Sequence, residues 1–141
     1  MREKIYEVIA RQIALSTRPA TSNRLAEWMA GGRIVAFHRN FVEVTENATA
    51  ALLLSQMWYW SQTPTAEERE GWFWMTQNEI YEQTGITRHE QETARKRLRD
   101  MGLLEEERRG LPAKMWFRLD KERFFSLAQI LLDSKEEIEG E

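Results

Sequence analysis

Apolar residues recur at three- and four-residue steps over most of this chain, and that spacing predicts helices. Ile5, Val8, Ile9 and Ile13 line one stripe over 2–16, which ends before Pro19. Leu25, Trp28 and Met29 form a second apolar face over 22–31, stopped at Gly31. In "TENATAALLLSQMWYWSQT" (45–63), Ala51, Leu54, Met57 and Trp58 share a side, with Thr45 or Asn47 as N-cap and Pro64 beyond the end. Thr76 and Glu79 make a capping box for the helix that ends at Gly85. Ile86, Thr87 and Glu90 repeat that signal for a helix running to Gly102. "KERFFSLAQILLD" predicts a closing amphipathic helix, and "SKEEIEGE" a frayed acidic tail.

Between these helices the period changes. "RIVAFHRNFVEVT" (33–45) is rich in β-branched and aromatic residues and reads as a strand or a short helix. "PTAEEREG" reads as a polar loop, and "GWFWM" as a short strand bounded by Gly71. "LLEEERR" and "KMWFRLD" predict two strands, joined by a turn at Gly110 and Pro112 into a hairpin over 103–119. From residue 45 the order is helix, short strand, helix, tight turn "TGIT", helix, hairpin. A helix–turn–helix whose second helix runs into a β-ribbon is the winged-helix plan. The expected fold is therefore mainly α with a small β-hairpin wing: a winged helix-turn-helix with additional N-terminal and C-terminal helices. Its parts are an N-terminal helical extension (1–32), a winged-helix domain (33–133) and an acidic tail (134–141), expected to be disordered.

Composition narrows the function classes. At 141 residues, 42% hydrophobic and 30% charged, the chain has the make-up of a soluble domain with one core. No apolar run approaches the roughly 20 residues of a membrane helix, and the start "MREKIYEVIARQ" has no secretory pattern. With no cysteine, disulfides, thiolate metal sites and a cysteine nucleophile are excluded, and a cytoplasmic setting is expected. The net charge of -3 argues against a polyanion as partner, but the average conceals a pattern. Residues 85–118 carry nine Lys/Arg against six acids, a local +3, while 34–84 and 119–141 are acidic. Salt screens charges beyond about 10 Å, so the local field decides what binds.

Three segments carry a family resemblance: "ALLLSQMWYWS", "GWFWMTQNEIYEQTGITRHEQETARKRLRDMGLLEE" and "GLPAKMWFRLD". Together they resemble the winged-helix domain of phage- and plasmid-borne replication proteins, of the replication-initiator and replisome-organiser type, over roughly residues 34–125. The resemblance implies a DNA-binding module of a mobile element, acting in replication initiation or its control. Double-stranded DNA is the implied partner, and replication proteins are further ones.

On a helical wheel of 87–101, Gln91, Ala94, Leu98 and Met101 form the packing face. His89, Glu92, Thr93, Lys96 and Asp100 lie opposite, flanked by Arg88 and Arg99, with Arg95 and Arg97 on the borders. Arg88 and His89 fall in the first turn, where helix–turn–helix proteins meet base edges. Lys96, Arg99, Arg108, Arg109 and Lys114 suit phosphates, and Thr93 completes the candidate DNA-binding set. The bland alternative is a solvated face, favoured by Glu92, Asp100 and the run "EEE" at 105–107.

The aromatic groups "MWYW", "GWFW" and "MWF" are assigned to the core rather than to base stacking. His38 and His89 are the only histidines and lack metal-ligand spacing. There is no phosphate-cradling glycine loop and no nucleophile elbow, so neither cofactor, metal nor enzymatic activity is expected. A protein-interaction module, or a transcriptional regulator without a replication role, is the alternative function. The stripe on 2–16 must pack on its own domain or on a second copy, which makes a homodimer a candidate assembly.

Overall fold

The computed structural model describes residues 7, 8, 11, 22–32, 34, 35 and 37–140. The elements in chain order are α1 (Ser22–Gly31), α2 (Arg39–Thr45), α3 (Ala48–Ser61), α4 (Pro64–Glu68) and β1 (Phe73–Trp74). They continue with α5 (Gln77–Thr84), α6 (Arg88–Asp100), β2 (Leu104–Arg109), β3 (Lys114–Leu119) and α7 (Lys121–Glu139). Two units result, Met1–Arg33 and Ile34–Glu141. The first contains α1, whose Leu25, Trp28 and Met29 are exposed. Of the helix expected over 2–16, residues 7, 8 and 11 are helical and exposed; Ile5, Ile9 and Ile13 lie outside the described residues.

In the second unit the organising element is α3. Asn47, not Thr45, caps it, its side chain accepting from the Ala50 amide at 2.8 Å. Its buried residues run almost all the way round, from Ala50, Leu53 and Leu54 to Met57 and Trp60, as befits a central helix. It touches α2, α4, α5, α6 and β3. The sheet is antiparallel with order β1-β3-β2. Phe73 and Glu106 both stand opposite Phe117, and Trp74 and Glu107 opposite Trp116. Because strand side chains alternate, Phe73 and Phe117 face the core while Trp74 and Trp116 face away.

One open reading is decided and three sequence expectations change. Segment 33–45 forms no strand among its described residues; 39–45 are helical, because Phe41 and Thr45, one turn apart, are both buried. Tertiary burial overrides the β-branched propensity there. The "polar loop" at 64–71 begins as α4: Thr63 caps it, Pro64 opens it and Ala66 is buried. The closing helix does not stop at 133 but runs through most of the expected tail to Glu139, with Lys135 paired to Glu43 of α2 at 2.6 Å. The aromatic groups also divide. Trp60, Phe73 and Phe117 are core residues, whereas Tyr59 is exposed, and Trp58, Trp72, Trp74 and Trp116 keep part of their surface in water.

Candidate nucleic-acid interface

The site is built on the α5–turn–α6 unit. Thr76 caps α5, and the helix closes on Gly85 at φ 76, a left-handed position that favours glycine. Thr87 then caps α6, and Glu90 completes the box. Gln91, fully buried, donates from Nε2 to the carbonyls of Gln77 at 3.0 Å and Ile86 at 2.9 Å. Those two bonds fix how the helices cross. Gln91, Ala94 and Leu98 are buried and Met101 is half-buried, so the wheel is correctly phased.

Most α6 cations are committed to acids. Arg95 turns inward and makes a two-pronged pair with Glu106 of β2, at 2.6 and 2.8 Å. Arg99 adds a third bond to Glu106 at 2.9 Å. Burial alone raises the Glu106 carboxyl, but the bonds and charges of Arg95 and Arg99 outweigh it, so the group lies below its ordinary value of 4.5. Arg97 donates to the carbonyl of Thr45, which ends α2, and so satisfies an orphan acceptor at a helix C-terminus. Lys96 holds Asp100 at 2.7 Å, and that bond lowers the Asp100 carboxyl. The acids at 105 and 107 are likewise engaged. Glu105 pairs with Arg118 at 2.6 Å and Glu107 with Arg109 at 2.9 Å.

Against that background one cleft stands out by its charge. It encloses about 260 Å3 between the start of α6, the start of α5 and the β2–β3 hairpin. Arg88, Arg108 and Lys114 line it with Arg95, Thr76, Gln77 and Trp74, and among the described residues no carboxylate does. Lys114 rests on Trp74, its Nζ 3.8 Å from the ring centroid. Arg88 has only a loose contact with Glu92 at 3.8 Å. The structure thus gathers Arg88, Arg108 and Lys114 of the expected set.

It does not gather the rest. Thr93 and Lys96 line a different groove beside Glu46 and Asp100. Arg99 is held by Glu106, and Arg109 lies on the outer sheet face over Trp72 and Trp116. His89 is exposed in the first turn of α6. Sequence reasoning missed Trp74, Thr76 and Gln77 as cleft walls. Only the capping signal at Thr76, which puts the start of α5 beside a turn, hinted at them.

No family model, curated protein or solved structure matches this chain. Among the described residues no group of His, Cys, Asp and Glu could hold a metal ion, and no helix is long and apolar enough to cross a membrane.

Proposed function

We propose that this protein is a winged-helix DNA-binding protein, with α6 as recognition helix and the β2–β3 hairpin as wing. Its place is in the replication of a mobile element, either initiation or its control. The observation that carries the DNA reading is the acid-free cleft, where Arg88 of the first turn, Arg108 and Lys114 converge from three elements. A duplex whose major groove takes the start of α6 brings its backbone against that hairpin. Arg88 then meets a base edge, while Arg108 and Lys114 meet phosphates. Lys96 reaches phosphate by exchanging Asp100 for it, since an exposed pair at this spacing contributes little. The replication role rests on the resemblance of the three segments quoted above.

Duplex binding measured by anisotropy at low and at fourfold higher salt tests this reading. With Arg108, Lys114 and Lys96 on phosphates, affinity is expected to fall about 40-fold across that step. A parent protein that leaves random and mixed-sequence duplexes unbound at low salt would remove the DNA reading altogether. Arg88→Ala is expected to cost about 1–3 kcal/mol and to alter preference among sequences. Lys114→Gln is expected to weaken all sequences alike and to lower the salt slope by about one. Lys96→Gln should change affinity less than Lys114→Gln, because Lys96 gives up Asp100 to bind. Equal losses for Arg88→Ala on every sequence would contradict its base-reading role.

The interaction-module reading has its own support in an apolar groove between α2 and α7. Phe41, Phe124 and Leu131 line it, and Phe125 and Leu132 stand exposed beside them. It becomes the leading reading only if duplex binding fails.

A further inference from the structure

The outer face of the sheet is the most unusual surface in the second unit. Trp72, Trp74 and Trp116 lie on it, each partly in water, and cations cover their rings. Arg109 sits over Trp72 at 4.4 Å and over Trp116 at 5.4 Å; Arg118 adds 4.8 Å to Trp72, Arg69 5.1 Å to Trp116, and Lys114 3.8 Å to Trp74. Significant cation–π pairs occur roughly once per 70–80 residues, so five on one small sheet is a concentration that core packing does not require. Glu105 and Glu107 share the face and engage Arg118 and Arg109. Arg118 also feels the charges of Glu70 and Asp120, so the available cations of this face are Arg69 and Lys114, which no carboxylate pairs with among the described residues.

A cleft adjoins this face at β1, the edge strand, and encloses about 220 Å3. Trp72, Trp74, Arg69, Thr63 and Thr65 are among its walls. That volume is below the roughly 300–1,000 Å3 of drug-sized ligand pockets, so it suits one planar ring system at a time. Indole and guanidinium planes stack bases without regard to sequence, and neighbouring cations follow the backbone between them.

We infer that this face binds single-stranded DNA, with bases stacked on the Trp–Arg layers and one base taken into the cleft at the β1 edge. The duplex and the unpaired strand then meet at Trp74 and Lys114, which line the acid-free cleft and belong to the outer face as well. The choice of DNA over RNA rests on the proposed duplex reading, because those two residues serve both surfaces. A protein so built holds a junction, with duplex on α6 and the wing and the open strand on the sheet.

The test uses labelled oligothymidine of about 15 nucleotides and a duplex probe in parallel, on the full chain. The parent is expected to bind the oligothymidine at low salt, with quenching of tryptophan emission. Trp116→Leu is expected to weaken that binding about tenfold. Arg69→Gln, an exposed change outside the duplex cleft, should weaken it while leaving duplex affinity and the circular dichroism spectrum unaltered. A parent that binds duplex but not oligothymidine overturns this inference and leaves the duplex reading standing. Oligothymidine binding unaffected by both substitutions overturns it as well. Oligouridine bound more tightly than oligothymidine overturns the assignment to DNA.

Discussion

Replacing Glu106 with glutamine is expected to lower the stability of the second unit by about 3 kcal/mol at neutral pH, the low end for breaking a buried ion pair. The shape of the side chain is kept, so the loss comes from charge. Glu106 and Arg95 are each only 11% exposed at the side chain, and the glutamine leaves the Arg95 guanidinium without its carboxylate. Acid should narrow the difference between parent and variant. The folded Glu106 carboxyl is depressed below its unfolded value of 4.5, so its stabilisation is fully present above that pH. It is lost as the pH falls through the lower, folded value. Urea unfolding of both proteins at pH 7 and in acid measures this. A gap that stays constant into acid would show that the Arg95–Glu106 charge pair does not stabilise the fold.

Leu98→Ala is expected to cost about 2–5 kcal/mol, because Leu98 is fully buried and its removal leaves a cavity between α6 and α3. The melting temperature should drop on the order of 10 °C. Thr93→Ala, on the exposed side of the same helix, should stay within about 0.5 kcal/mol of the parent. Thermal melts of the pair check the orientation of α6 directly. An unchanged melt for Leu98→Ala, or equal losses for both variants, would mean that α6 packs by another face.

Three helices of the second unit, α3, α5 and α6, were legible in the sequence to within one or two residues from a capping side chain at their start, whereas α4, capped by Thr63, reads as a loop and α7, capped by Asp120, reads as ending at 133 instead of 139. Thr76, Thr87 and Asn47 each accept the backbone bond that their position predicts, and that signal is local. The sequence assigns "MWF" whole to the core, where only Phe117 is buried. It could not say that Trp74 and Trp116 line up across the sheet, since register depends on where two distant strands meet.

The candidate site was legible in composition but not in arrangement. Arg88, Lys96, Arg99, Arg108, Arg109 and Lys114 read as one basic set along the chain. Folding sorts them by their acidic neighbours: Arg99 goes to Glu106 and Lys96 to Asp100, while Arg88, Arg108 and Lys114 share a cleft without acids. Arg95 shows the limit most plainly. A helical wheel puts it on a border, and only Glu106, eleven residues away on β2, draws it into the interior. Sequence alone determined α3, α5, α6 and the hairpin, because caps, turns and apolar period act within a few residues, while burial of Phe41, Thr45 and Ala66 decided α2 and α4. Which cations remain available to a polyanion was decided by the tertiary structure, because a charge is neutralised by whatever carboxylate the fold brings within a few ångströms, however far away it lies in the chain.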